Sequence, residues 1–143
     1  MDLEFLDAVV GYEIALWTHL DSQLTERGQV SLAVFSALRV VDRHGDSARI
    51  RELQDDLRIT VGSASKLADR LERDGLVVRR QNPVDRRSSV VTLTTAGRES
   101  FGSAERTVRA ALSDHLRTSA VSAPDVVDAL RRLDAALAGT SAR

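Results

Sequence analysis

Past Gly75 the spacing of apolar residues switches from helical to extended and then back, which limits the chain to a helical frame interrupted by a β-hairpin. Leu76-Val77-Val78-Arg79-Arg80 reads as a strand and Val90-Val91-Thr92-Leu93-Thr94 as its return. The stretch between them, Asn82 to Ser89, is polar and turn-forming, with Pro83 fixing one φ angle and three charged residues at the tip. Elsewhere apolar residues recur every three or four positions. Asp2 to about Arg27 carries Leu3, Leu6, Val10, Ile14, Trp17, Leu20 and Leu24 on one long amphipathic helix. Ser31 is placed to cap a second helix bearing Leu32, Phe35, Leu38 and Val41, which stops at Gly45.

Arg49-Ile50-Arg51 is expected to form a short strand leading into a brief helix of Glu52, Leu53, Asp56 and Leu57. Arg58-Ile59 then makes a tight connection, and Thr60 caps a helix from Val61 to Asp74 that Gly75 closes. Two short helices joined by about three residues make a helix-turn-helix. Thr94 or Thr95 starts a long helix with Phe101, Ala104, Val108, Leu112 and Leu116. A last helix follows a capping-box arrangement, Ser122 to Asp125, and shows Val126, Leu130, Leu133 and Leu137 before Gly139.

The expected fold is therefore mainly α with a small β-hairpin wing, a winged helix-turn-helix flanked by terminal helices. At 143 residues with 43% hydrophobic content, one core and one domain spanning 1–143 are expected, with the winged lobe over 48–98. The long first helix needs something to cover its stripe, either its own domain or a second subunit. Segments 1–30 and 99–143 are read as a helical dimerisation lobe.

The net charge of −1 hides an uneven distribution. From Ala48 to Arg98 there are 11 basic against 7 acidic residues, a balance of +4, while the remainder has 9 against 14, or −5. The basic half is a candidate electrostatic footprint for nucleic acid. The absence of cysteine rules out disulfides, thiolate metal sites and thiol redox sensing within these 143 residues. No apolar run approaches the roughly 20 residues of a membrane span, and the acidic start lacks a signal-peptide pattern, so a soluble, cytoplasmic protein is expected.

The stretch Leu53 to Gly97 contains Ser65-Lys66-Leu67, Asp69-Arg70-Leu71-Glu72, Gly75-Leu76-Val77, Asp85-Arg86-Arg87 and Leu93-Thr94-Thr95-Ala96-Gly97. In order and spacing it resembles the core of the multiple antibiotic resistance regulator (MarR) family. The resemblance implies a homodimeric winged helix regulator of transcription, more often a repressor than an activator, tuned by a small molecule.

A helix enters the B-DNA major groove only where small or polar side chains permit close approach, and Gly62, Ser63, Ala64 and Ser65 offer that. Ser63, Ser65 and Lys66 are the candidate base-edge or phosphate contacts, with Arg70 one turn later. Thr60 both caps the helix and can hydrogen-bond phosphate. Gly62 can equally ease capping, and Ser63 and Ser65 can be ordinary solvated positions. Arginines on a hairpin tip can reach the minor groove. By resemblance to the family's Asp-x-Arg wing, Asp85 orients Arg87, which inserts. Arg86, Arg79 and Arg80 are candidate phosphate contacts, a charged and merely solvated strand being the alternative for the last two.

His19, His44 and His115 show no metal-ligand spacing, and no metal or cofactor is expected. By resemblance, the family's effector pockets lie between the dimerisation helices and the winged lobe. Tyr12, Trp17, His19 and His115 are candidates to border one; as aromatics at helical spacing they can equally be core. No Gly-rich phosphate loop, triad-like arrangement or metal motif supports an enzyme. A winged helix that binds protein rather than DNA is the competing class. The expected partners are duplex DNA, a second copy of the chain and a small-molecule effector, with no membrane.

Overall fold

The second and fourth helices each begin where the sequence supplies a capping hydroxyl. The computed structural model describes residues 2–81, 84 and 88–141. In order, these form α1 (Asp2–Glu26), α2 (Leu32–His44), a 3-10 turn (Gly45–Ser47), α3 (Ile50–Leu57), α4 (Val61–Arg73), β1 (Val77–Gln81), β2 (Ser89–Leu93), α5 (Thr95–Ser119) and α6 (Ala123–Ser141). The Val34 N–H donates to Ser31 Oγ (3.2 Å) and the Leu32 N–H to Asp21 Oδ1 (2.8 Å), so the start of α2 is satisfied from its own cap and from α1. Thr60 Oγ1 accepts the Ser63 N–H at the start of α4 (3.2 Å). Gly75, at φ 74°, turns the chain out of α4 in the left-handed region that glycine enters without penalty.

The helix-turn-helix joins α3 to α4 through Arg58, a non-glycine residue at φ 54° and ψ 45° whose N–H closes α3 on the Gln54 carbonyl. Strands β1 and β2 pair antiparallel from Val77 opposite Leu93 to Gln81 opposite Ser89. Leu76 stands outside this ladder because its N–H donates to the Leu71 carbonyl (2.9 Å), which finishes α4 instead of starting the strand.

The expected strand Arg49-Ile50-Arg51 forms in only one residue. Arg49 bridges Val90, and the Val91 N–H donates to the Ala48 carbonyl at 2.7 Å, laying a fragment beside β2. Ile50 and Arg51 are already helical. Glu52 explains this: its Oε2 accepts the Arg49 N–H (2.9 Å) and its Oε1 the guanidinium (3.2 Å), capping α3 earlier than apolar spacing indicates. At the other end, α6 does not stop before Gly139 but continues to Ser141.

The chain divides into two compact units, Met1–Val108 and Arg109–Arg143. In the first, Leu24 of α1, Leu38 and Val41 of α2, Leu53 of α3, Leu71 of α4, Val77 of β1 and Val91 of β2 are fully buried. Each such leucine contributes about 1.5–3 kcal/mol relative to exposure. Phe35 of α2 stacks on Phe101 of α5 with ring centroids 5.7 Å apart and planes 14° from parallel. The rest of α1 is left uncovered: Leu3, Phe5, Leu6, Val9, Val10, Ile14 and Trp17 are all exposed. In the second unit, α6 likewise exposes Val126, Val127, Leu130, Leu133 and Leu137.

Candidate nucleic-acid interface

The sequence of α4 divides the helix by face. Ala64, Ala68 and Leu71 are buried, while Gly62, Ser63, Lys66 and Arg70 are exposed on the opposite side. Successive residues turn by about 100° around an α-helix, so Gly62, Lys66, Arg70 and Ser63 fall within an arc of about 100°, roughly a quadrant. A Cβ built on Gly62 would meet nothing within 4 Å, so packing within the chain does not demand glycine there. The quadrant is thus a smooth ridge with one amine and one guanidinium, of the width that a major groove admits.

Thr60 is exposed, and its hydroxyl is engaged in the cap, accepting the Ser63 N–H and donating to Ser63 Oγ (3.0 Å). Ser65 is half-buried. Arg70 places Nε 3.8 Å from Asp74 Oδ2, an exposed i,i+4 pair that a phosphate could displace at little cost.

Arg79 and Arg80 follow each other on β1 but occupy different surroundings. Arg80 is exposed, whereas the Arg79 side chain is only 24% exposed and turns back onto α4. Its Nη2 lies 2.7 Å from Asp69 Oδ1 and donates to the Ser65 carbonyl (3.2 Å), while its backbone N–H donates to Glu72 Oε2 (3.1 Å). Its Nε is buried without a hydrogen-bond partner among the described residues, a cost of about 1–3 kcal/mol for such a donor. Asp85, Arg86 and Arg87, the expected wing tip, lie outside the described residues.

The hairpin is seated on α5 by residues for which sequence reading supplied a motif but no task. Thr94 donates its N–H to the Leu76 carbonyl (3.0 Å) and its hydroxyl to the Gly75 carbonyl (2.6 Å), and Thr94 Oγ1 accepts the Gly97 N–H (3.0 Å). A Cβ on Gly97 would stand 1.9 Å from the Leu76 carbonyl oxygen, so only glycine fits. Asp69 and Glu72 as partners of Arg79 were also missed. Their signal was available, since residues 65, 69 and 72 share one flank of the helix.

On the far side of α2, the Asp56 carboxylate of α3 takes His44 Nε2 at 2.9 Å and Arg43 Nη1 at 3.3 Å, tying the first helix of the helix-turn-helix to the end of α2. The Glu52 carboxyl is subject to opposing influences. Burial raises it, but hydrogen bonds from the Arg49 side chain and from the Glu52 and Arg49 backbone, together with the Arg49 charge, outweigh that and hold it below its ordinary value.

The three expected effector residues on α1 do not all share a face. Tyr12, Trp17 and His19 are all exposed on α1, where Trp17 stands about 140° around the helix from Tyr12 and His19 lies close to the Tyr12 side. His115 is half-buried on the part of α5 belonging to the second unit. A cleft of about 320 Å³ opens in the first unit beside none of these four. It is lined by Gly28, Gln29, Val30, Glu99, Ser100 and Ser103, and bridged by Gln29 Nε2 donating to Ser103 Oγ at 2.7 Å. Among the described residues no group of three His, Asp or Glu is placed to hold a metal ion, and no helix is long and apolar enough to cross a membrane.

The chain is similar to several known proteins. The model of the MarR family matches residues 30–89, from the start of α2 to the beginning of β2. The uncharacterized HTH-type transcriptional regulator YxaD of Bacillus subtilis is 27% identical over 95 residues, 64% of this chain; the match spans 66% of that relative's length. CouR of Rhodococcus jostii, solved bound to p-coumaroyl-CoA, superposes with a TM-score of 0.74 at 26% identity, covering 96% of this chain and 92% of that one. A mutant MarR from E. coli complexed with operator DNA gives a TM-score of 0.76 at 26% identity, covering 96% and 94%. AbsC of Streptomyces coelicolor, described as a MarR family transcriptional regulator, gives 0.79 at 20% identity over 100% and 97%, a likeness of fold.

Proposed function

We propose that this chain is a regulator of the MarR type, a sequence-specific duplex-DNA-binding transcriptional repressor acting in the cytoplasm as a homodimer on a pseudo-palindromic operator. The observation that carries the reading is the exposed quadrant of α4, where Gly62, Ser63, Lys66 and Arg70 present a low ridge whose opposite face is locked into the core. A module that binds only protein has no need of that ridge. The relatives of known structure include proteins solved with operator DNA and with a 23-mer DNA duplex, which supports the same assignment.

In this mechanism Ser63, Ser65 and Lys66 read base edges or adjacent phosphates, Thr60 and the N-terminus of α4 take a phosphate, and Arg70 leaves Asp74 for phosphate or guanine. Arg80 contacts the backbone. Asp85 orients Arg87 into the minor groove, with Arg86 on phosphate. Residues 48–98 act as the DNA-binding lobe, and 1–30 with 99–143 as the dimerisation segments. The exposed stripe on α1 and that on α6 are each covered in the homodimer, since an apolar surface of this extent on a soluble regulator calls for a partner.

Repression is relieved by a small-molecule effector. CouR, solved with an acyl-CoA ligand, supports the existence of such control. Tyr12, Trp17, His19 and His115 are the residues assigned to sense it. An effector shifts the equilibrium only by as much as it favours one arrangement of the dimer over the other.

The test is selection on a randomised duplex library near physiological salt, followed by sequencing of the retained DNA. An inverted repeat with half-site centres about 10 bp apart is expected. Retention with no enriched motif would reduce the reading to nonspecific DNA binding, and no retention by the folded protein would replace it with a protein-interaction winged helix.

A further inference from the structure

We propose that Arg79 and Asp69 form a positioning pair for DNA recognition, fixing strand β1 against helix α4 so that the hairpin and the recognition helix meet the duplex as one preset body. The inference rests on the DNA-binding reading above and departs from it in one respect: it takes Arg79 out of the set of phosphate contacts.

Three ties run from this one residue to α4. The backbone N–H reaches Glu72 Oε2, and Nη2 reaches both Asp69 Oδ1 and the Ser65 carbonyl. Ser65, Asp69 and Glu72 lie at i, i+4 and i+7, so they form the flank of α4 that borders the exposed quadrant of Gly62, Lys66 and Arg70. The guanidinium therefore grips the helix beside the residues that would read DNA, from a strand that continues into the wing. Its Nε is buried, so this edge of the guanidinium is turned away from solvent.

Asp69 gives the second half of the argument. Its carboxylate is 62% exposed and sits next to the ridge, where an unpaired negative charge would repel phosphate. Surface ion pairs of this exposure add little to folding stability. What this pair does supply is orientation, because Arg79 is held by a carboxylate and a carbonyl at once, and a fixed angle between two DNA-contacting elements removes a cost of ordering them on binding.

The test uses the full-length protein and the inverted-repeat duplex recovered by selection, with affinity measured across a salt series. Arg79→Ala, Arg79→Lys and Asp69→Ala should each weaken binding by about tenfold, and the Arg79→Ala/Asp69→Ala double variant by no more than either alone, the signature of a coupled pair. The slope of log affinity against log salt should stay unchanged in Arg79→Ala, whereas loss of a phosphate contact lowers it by about 1. Reversing the pair, Asp69→Arg with Arg79→Asp, should recover part of the affinity. Thermal unfolding midpoints near that of the unaltered protein are expected, because the Glu72 tie to the backbone N–H survives every substitution.

Tighter binding by Asp69→Ala, additive losses, or a slope reduced by about 1 in Arg79→Ala would each overturn the pairing while leaving the DNA-binding reading intact. Failure of the unaltered protein to select any sequence would overturn both.

Discussion

The winged part of the molecule and the first two turns of α1 contain similar apolar side chains and treat them oppositely. From α2 to β2 most large aliphatic residues are covered by their own chain, with Val61, Val78 and Val84 exposed, and the elements are cross-tied by Arg79, Thr94, Asp56 and Glu52. Along α1, Leu3 is 76% exposed and Leu6 53%, and only Leu20 and Leu24 near its end are buried. One region is finished by local chemistry. The other carries a wide exposed apolar face, the one that the proposed homodimer would cover.

That contrast can be broken most sharply at α1. Leu6→Glu with Val10→Glu should weaken self-association by a hundredfold or more, taking about 1.5 kcal/mol or more for each apolar side chain no longer covered. Sedimentation equilibrium would read this as a halved mass at micromolar concentration, with the far-ultraviolet helix signal of the winged region retained. An unaltered mass would mean that this face is not the one that pairs.

The next largest effect lies inside the finished region. Gly97→Ala forces a methyl into the Leu76 carbonyl and should cost about 2–3 kcal/mol, seen as a lowered thermal midpoint. Thr94→Val keeps the shape but removes the hydroxyl that joins Gly75 to Gly97, with an expected loss of about 1–2 kcal/mol. Asp21→Ala, which strips the Leu32 N–H of its acceptor, should cost about 1 kcal/mol. If Thr94→Val were neutral in a urea titration, the hairpin would be seated by packing alone.

The smallest effect is a pH dependence. Because the Glu52 carboxyl is lowered in the folded state from its ordinary 4.5, it contributes stability that is fully present above that value and is lost as pH falls through the lower folded one. Glu52→Gln should flatten the stability curve slightly in that acid range and leave it unchanged near neutrality.

Much of this architecture was legible because helix starts and stops are local events. Ser31, Thr60, Gly45 and Gly75 announce themselves within a few residues, and the period switch at Gly75 needs no knowledge of the fold. What stayed hidden depended on direction or on distance along the chain. The strand expected over Arg49–Arg51 gave way to a side chain, Glu52, that reached back and capped α3. The exposed face of α4 could be read from Gly62, Ser63 and Lys66. The destination of Arg79 could not, because nothing in a row of two arginines on a strand tells which one turns back onto a helix. Gly97 was recognised as part of a pattern, yet its necessity comes from a carbonyl 21 positions earlier.

That carbonyl also acts as a sieve on sequences. Any chain that closes its hairpin as this one does must follow an extended run with a hydroxyl-bearing residue and then, three positions on, the one amino acid without a side chain. The spacing is set by backbone geometry and is indifferent to what the ridge on α4 reads. Searches for distant chains of the same build can therefore be keyed to Thr94 and Gly97, leaving the exposed positions of α4 to vary.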